Sequence, residues 1–161
     1  MQSITEEELC NCIMDNREGM YRLAYSILHS DADAQDAVGE TIVIALAKRA
    51  QIRKKESARA WLMKILVNEA RKSLRRSSRM IPSDKLEQYR EEEIFTYDEM
   101  WPVVMELQEE FRQVVVLYYY ECMGVKEISR ILKIPPGTVK SRLSRAREKL
   151  FRMVEGKEVE R

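Results

Sequence analysis

The sequence predicts an all-α protein made of two small helical domains joined by a flexible acidic linker. Three observations lead there. Apolar residues recur at three- and four-residue spacing along most of the 161 residues, while five Gly and four Pro are too few for the tight turns of an all-β fold. The periodicity fails over one stretch, SSRMIPSDKLEQYREEEIF at 77–95, which holds Pro82 and the acidic run 91–93. Charge is segregated by segment although the formal net charge is only +1. The predicted division is a first domain over 1–79, a linker over 80–95 and a second domain over 96–161.

The elements follow in order. Thr5 to His29 reads as a helix with Thr5 as its cap and Glu8 three residues on, the spacing of a capping box. Ser30 to Asp33 is a polar break, and Asp31 or Asp33 can cap a second helix running to about Arg49. Ile52–Ser57 (IRKKES) interrupts the apolar pattern, after which Ser57 caps a third helix to about Arg76. Beyond the linker, helical spacing resumes from about Thr96 to Glu110, around Phe111–Cys122, over Val125–Leu132 and over Gly137–Val154. Val114–Tyr120 (VVVLYYY) has strand-like composition, yet no partner strand is evident, so a buried helix is expected. Trp101 ahead of Pro102 marks a helix start.

Composition removes several classes of function. No apolar run approaches the ~18–20 residues that span a membrane, so no membrane insertion is expected. The opening MQSITEEELC lacks a basic stretch followed by an apolar one. The three Cys are therefore expected as reduced thiols in a cytoplasm. Cys10 and Cys12 diverge by about 200° on a helix, and with His29 as the single imidazole a metal site is not expected. Cys122 is expected to pack as a small apolar group. There is no Gly-rich phosphate loop and no nucleophile–base motif, so neither an enzyme nor a cofactor is expected.

Charge then points to partners. Residues 48–79 carry twelve Lys and Arg against two acids, and residues 111–161 carry twelve against six. Residues 1–47 and 80–110 are acidic. A polyanion would be drawn to two separate basic segments.

The second basic segment has the form short helix, tight turn, second helix, with Ile134-Pro135-Pro136-Gly137 as the turn. This is a helix-turn-helix, whose second helix is shaped for a major groove. At 100° per residue Val139, Leu143, Ala146 and Leu150 form the core stripe. Thr138, Ser141, Ser144 and Arg145 lie opposite. Thr138, Ser141 and Arg145 are the candidates for base edges, while Lys140 and Arg142 are placed to grip phosphates. Glu127-Ile128, Gly137-Thr138-Val139-Lys140-Ser141-Arg142-Leu143 and Arg145-Ala146-Arg147 resemble region 4 of the extracytoplasmic-function (ECF) sigma factors of the sigma-70 family. That resemblance implies binding to the −35 promoter element. Ser129 stands where the family's Glu-Ile-Ala has Ala.

The first half carries two further patterns. Asp33, Asp36 and Glu40, at i, i+3 and i+7, put three carboxylates on one helix face, a mutual repulsion that a basic partner would relieve. Val38, Ile42 and Ala45 lie roughly opposite. In the next helix Lys64, Asn68, Arg71 and Arg75 form a basic stripe able to follow a nucleic-acid backbone. Trp61, just after the loop, suits either the core or the DNA face.

Asp33-Ala34-Gln35-Asp36-Ala37-Val38-Gly39-Glu40-Thr41 and Ala60-Trp61-Leu62-Met63-Lys64-Ile65-Leu66-Val67-Asn68-Glu69-Ala70 through Arg76 resemble region 2 of the same family. The resemblance implies that Asp33, Asp36 and Glu40 bind bacterial core RNA polymerase. It also implies that Arg53, Lys54, Lys55, Trp61, Lys64, Asn68, Arg71 and Arg75 meet the −10 element of promoter DNA. In the family the loop matching Ile52–Ser57 captures a flipped base. Gly39 and Ile42 depart from the usual Gln and Phe. An anti-sigma factor is a further partner expected by analogy. The alternative reading is a stand-alone helix-turn-helix regulator that binds duplex DNA as a dimer.

Overall fold

The computed structural model describes residues 3–78 and 97–159, and among them every regular element is helical. The expected linker over 80–95 lies outside the described residues. The described residues form two compact units, one built on the first three helices and the other around helices that follow Tyr97.

In the first unit, α1 spans Glu6–Leu28, and its capping box is present as expected. The Glu8 backbone N–H donates to Thr5 Oγ1 at 3.1 Å, and the Thr5 N–H donates to Glu8 Oε2 at 3.0 Å. The second helix, α2, spans Asp31–Ala47 and is capped by Ser30, not by Asp31 or Asp33. Ser30 is extended and its hydroxyl accepts the Asp33 N–H at 3.3 Å. Asp31 is engaged elsewhere, by the Tyr21 hydroxyl and the Gln35 amide. α2 stops at Ala47, short of Arg49, because the chain tightens into a 3-10 turn over Arg49–Gln51.

A second 3-10 turn, Lys55–Ser57, leads directly into α3, Ala58–Ser78. Ser57 thus belongs to this turn, where its N–H donates to the Lys54 carbonyl. All three helices pack on one another. Ile4, Leu9, Ile13, Ala45, Ile52, Ala58 and Leu62 form one buried cluster, with Ile42, Trp61 and Ile65 against it. Buried Ile52 anchors the loop from below, which leaves Arg53, Lys54 and Lys55 pointing into solvent.

In the second unit, α4 spans Trp101–Met105 with Pro102 in its first turn, as expected. Trp101 is fully buried and lies edge-on between Tyr97 and Tyr120. Asp98 accepts both the Trp101 backbone N–H and the Tyr120 hydroxyl at 2.8 Å. α5, Glu109–Val115, continues as a π-helical turn over Val116–Tyr120, so VVVLYYY is helical and its Val114–Leu117 part is buried. The break before α5 falls at 106–108 rather than after Glu110. Buried Arg112 reaches back across it and donates to the Leu107 carbonyl at 2.8 Å and the Met105 carbonyl at 3.4 Å. Burial pulls the Arg112 pKa below its usual value, with Glu109 opposing the shift.

Cys122 departs from expectation. It is exposed, with φ 54°, where the Met123 N–H donates back to the Leu117 carbonyl and ends the helix. The left-handed reversal turns its side chain outward, away from the core.

Then come α6, Val125–Leu132, and α7, Pro136–Val159, the latter longer than its expected Gly137–Val154 extent. Lys133 is left-handed at φ 58°, and its N–H and that of Ile134 both donate to the Ser129 carbonyl. The Ser129 hydroxyl donates to the Ile134 carbonyl. Ser in place of the family's Ala therefore adds a bond that closes the turn.

Candidate nucleic-acid interface

The core stripe of α7 falls as its spacing requires. Val139, Leu143 and Ala146 are buried and Leu150 half-buried. Ser141, Ser144 and Arg145 are exposed and Thr138 half-buried. Thr138, Ser141 and Arg145 lie within about 60° of one another around the helix, on the side away from Val139. The flanking cations divide by what they touch. Arg147 sits 5.7 Å from the Tyr119 ring centroid and donates to its hydroxyl, and Lys149 sits 5.1 Å over Phe111. Both are held against aromatic faces of their own unit. Lys140 and Arg145 make no ion pair or hydrogen bond among the described residues and remain available for an external anion.

On α2 the buried side is Ala34, Ala37, Val38, Thr41 and Ala45. Asp36 and Glu40 are exposed and Asp33 half-buried, so the three carboxylates share the outward face. Sequence reasoning missed the apolar part of this face. Val43 is 64% exposed and Leu46 40% exposed, directly following the acids. Their signal is present at i+3 and i+6 from Glu40. A Cβ on Gly39 would meet nothing within 4 Å, so packing within the protein does not explain this helix-interior glycine.

The basic stripe of α3 borders a cavity of about 400 Å³ between the end of α2 and α3. Trp61, Lys64, Asn68 and Arg75 line it together, as the stripe implied. Trp61 rests on the core cluster and also lines the groove. Arg71 is half-buried and is not among the lining residues. Arg53, Lys54 and Lys55 also stand apart from the groove, and the Lys55 ammonium lies 3.4 Å from Glu8, tying the loop to the start of α1. Hydrogen bonds from the Thr5 N–H and from Lys55 hold the Glu8 carboxyl below its ordinary value.

The groove also takes in Lys48, Gln51 and Lys72, which the sequence reading did not single out. Lys72 lies four residues after Asn68 and could have been found. Lys48 and Gln51 come from a turn whose approach to α3 exists only in the folded chain.

Cys10 is exposed and Cys12 half-buried, where burial pushes its thiol pKa up. Among the described residues no group of three His, Cys, Asp or Glu could hold a metal, and no helix is long and apolar enough to cross a membrane.

Comparison with known proteins identifies the family. Residues 12–80 match sigma-70 region 2, and residues 101–150 match sigma-70 region 4. The chain is similar to the RNA polymerase sigma factor SigV of Bacillus subtilis, at 31% identity over 146 residues covering 88% of each chain. It is similar to the ECF RNA polymerase sigma factor SigM of Mycobacterium tuberculosis, at 29% identity over 140 residues, 84% of this chain and 71% of that one. In fold it is like the sigma factor RpoE of Bartonella quintana, solved with the anti-sigma factor NepR, with a TM-score of 0.72 at 22% identity over 89% of this chain and 94% of that one. It is likewise similar to CnrH, solved with the cytosolic domain of CnrY, with a TM-score of 0.69 at 22% identity over 94% and 90% of the two chains. The region 2 match does not favour the stand-alone regulator. The chain belongs to the sigma-70 family of RNA polymerase sigma factors, within its ECF group.

Proposed function

We propose that the surfaces described above divide the work of transcription initiation among themselves. Asp33, Asp36 and Glu40, with exposed Val43 and Leu46 beside them, form the face that docks on bacterial core RNA polymerase. Carboxylates steer a basic partner and the apolar end supplies burial. The α3 groove, with Trp61, Lys64, Asn68 and Arg75, receives the opened −10 strand, and Arg71 with Arg53, Lys54 and Lys55 supplies phosphate attraction around it. Thr138, Ser141 and Arg145 read base edges of the −35 element, while Lys140, Arg142 and Ser144 hold the adjacent backbone.

In this reading the domains are residues 1–79 and 96–161, with 80–95 as the connection between them. The sigma factor selects and opens the promoter, and the polymerase performs the catalysis. The site of action is the cytoplasm. An anti-sigma factor is a further partner, by analogy with the RpoE–NepR and CnrH–CnrY complexes.

The observation that supports this best is the meeting of an aromatic ring, two amides and four cations in one groove beside α3. A ring to stack a base, a polar group to contact it and cations for the backbone are what an unpaired strand needs. The test is open-complex formation by core polymerase with this chain, read by permanganate reactivity of unpaired thymines. Lys64→Ala with Asn68→Ala should reduce that reactivity at least tenfold while polymerase binding persists. Undiminished reactivity would remove the groove from strand opening.

A further inference from the structure

The α3 groove is not uniformly basic. Lys48, Lys64, Lys72 and Arg75 stand around it, yet Glu69 lines it as well. The Glu69 side chain is only 14% exposed, and its Oε1 accepts the Lys72 ammonium at 3.1 Å. Its Oε2 takes no hydrogen bond among the described residues. Lys72 is 55% exposed, and an i,i+3 pair so open to water adds little stability. A carboxylate here also weakens the attraction of the groove for phosphate. Its chemistry toward a base is different. Gln51 and Asn68 can donate or accept, and the cations only donate, so among the described lining side chains Glu69 is the one that accepts without donating. Trp61 offers the stacking face that would fix the plane of a base beside it.

We propose that Glu69 is a base-reading residue, which makes this groove prefer an unpaired nucleobase bearing an exocyclic amino group (adenine, cytosine or guanine) over thymine, which bears none. The amino hydrogens meet Oε2, whereas thymine offers a single N3–H flanked by two carbonyl oxygens that the carboxylate repels. Lys72, held by Oε1, keeps the carboxylate turned and stays free to meet a phosphate with its remaining hydrogens. The proposal rests on the reading of the α3 groove as the seat of the opened strand.

The test uses holoenzyme assembled from the full chain and core polymerase, transcribing a promoter library with the −10 segment of the non-template strand randomised. The wild type should show one position where thymine is disfavoured about tenfold against the other three bases. Glu69→Leu should bring that ratio within twofold and leave other positions unaltered. Glu69→Gln, which restores an acceptor but adds a donor, should fall between them. A wild type with no position that disfavours thymine overturns the proposal, as does an unchanged profile in Glu69→Leu. Equal loss of output at every position in both variants also overturns it, since that marks a purely structural role. Failure of the wild type to open any promoter refutes the groove reading itself, a different result that removes the proposal with it.

Discussion

Arg145 gives the cleanest test of base reading, because the protein does not need it for folding. It is exposed on α7, on the face away from buried Val139, Leu143 and Ala146, and it makes no hydrogen bond or ion pair among the described residues. Arg145→Ala therefore removes no internal contact and keeps a good helix former. Stability should stay within about 0.5 kcal/mol of the parent, as for surface changes away from special features. A bidentate contact to a base edge contributes about 1–3 kcal/mol of discrimination. At about 1.4 kcal/mol per factor of ten, that is roughly 5- to 150-fold between the preferred −35 element and single-base variants. The assay is transcription by holoenzyme on promoters that differ at one −35 position at a time, repeated at two salt concentrations. The variant should lose discrimination at one or two positions and keep it elsewhere. A phosphate contact behaves differently, weakening all sequences alike and lowering the salt slope by about 1. A uniform loss of that kind would refute the base-reading role.

Other predictions concern the first unit. Asp36→Lys with Glu40→Lys alters only exposed positions, so the melting temperature should hold while affinity for core polymerase falls by about 1.5 kcal/mol or more; unchanged affinity in a binding titration would take the acidic face out of the interface. Gly39→Ala should raise stability in urea by roughly 1 kcal/mol, because the added Cβ meets open space; a loss of stability would refute that reading. Thr5→Ala should cost about 1 kcal/mol by removing the cap of α1. Glu8, held below its ordinary 4.5, stabilises the folded state above that pH and ceases to do so as pH falls through its lowered value. The difference between wild type and Glu8→Gln should therefore be present at pH 7 and shrink below about pH 4.5.

The sequence is informative where the cause is local. Thr5 and Glu8 announce their capping box by spacing alone, and the α7 core stripe follows from four apolar residues at helical intervals. The assignments that shifted depend on residues far along the chain. Asp31 looks like a cap until Tyr21, ten residues earlier, donates its hydroxyl to it, which leaves Ser30 to cap α2. The break at 106–108 is held by Arg112 from the following helix. Cys122 is apolar enough for a core, but the chain reverses there, and its direction follows from the backbone rather than from its hydrophobicity.

The same holds for the functional surfaces. Their charges could be read directly, since Asp36, Glu40, Lys64 and Arg145 needed only helical spacing to be placed. The groove could not, because Lys48 and Gln51 reach it from the turn after α2. Arg53, Lys54 and Lys55 show the converse. They are consecutive and basic in sequence, yet the fold leaves them exposed beside buried Ile52 and outside the lining of the groove. Arg147 and Lys149 likewise read as part of a basic helix, and the folded chain commits them to Tyr119 and Phe111.

The central claim is that two basic surfaces and one acidic face act together through the polymerase. Run-off transcription tests it most directly, with purified chain, core polymerase and a randomised promoter pool, each component also omitted in turn. Transcripts should start at a defined distance from a shared pair of sequence elements and vanish when either protein is left out. Tight, sequence-specific duplex binding by the chain alone, with no transcripts gained from adding polymerase, would contradict it.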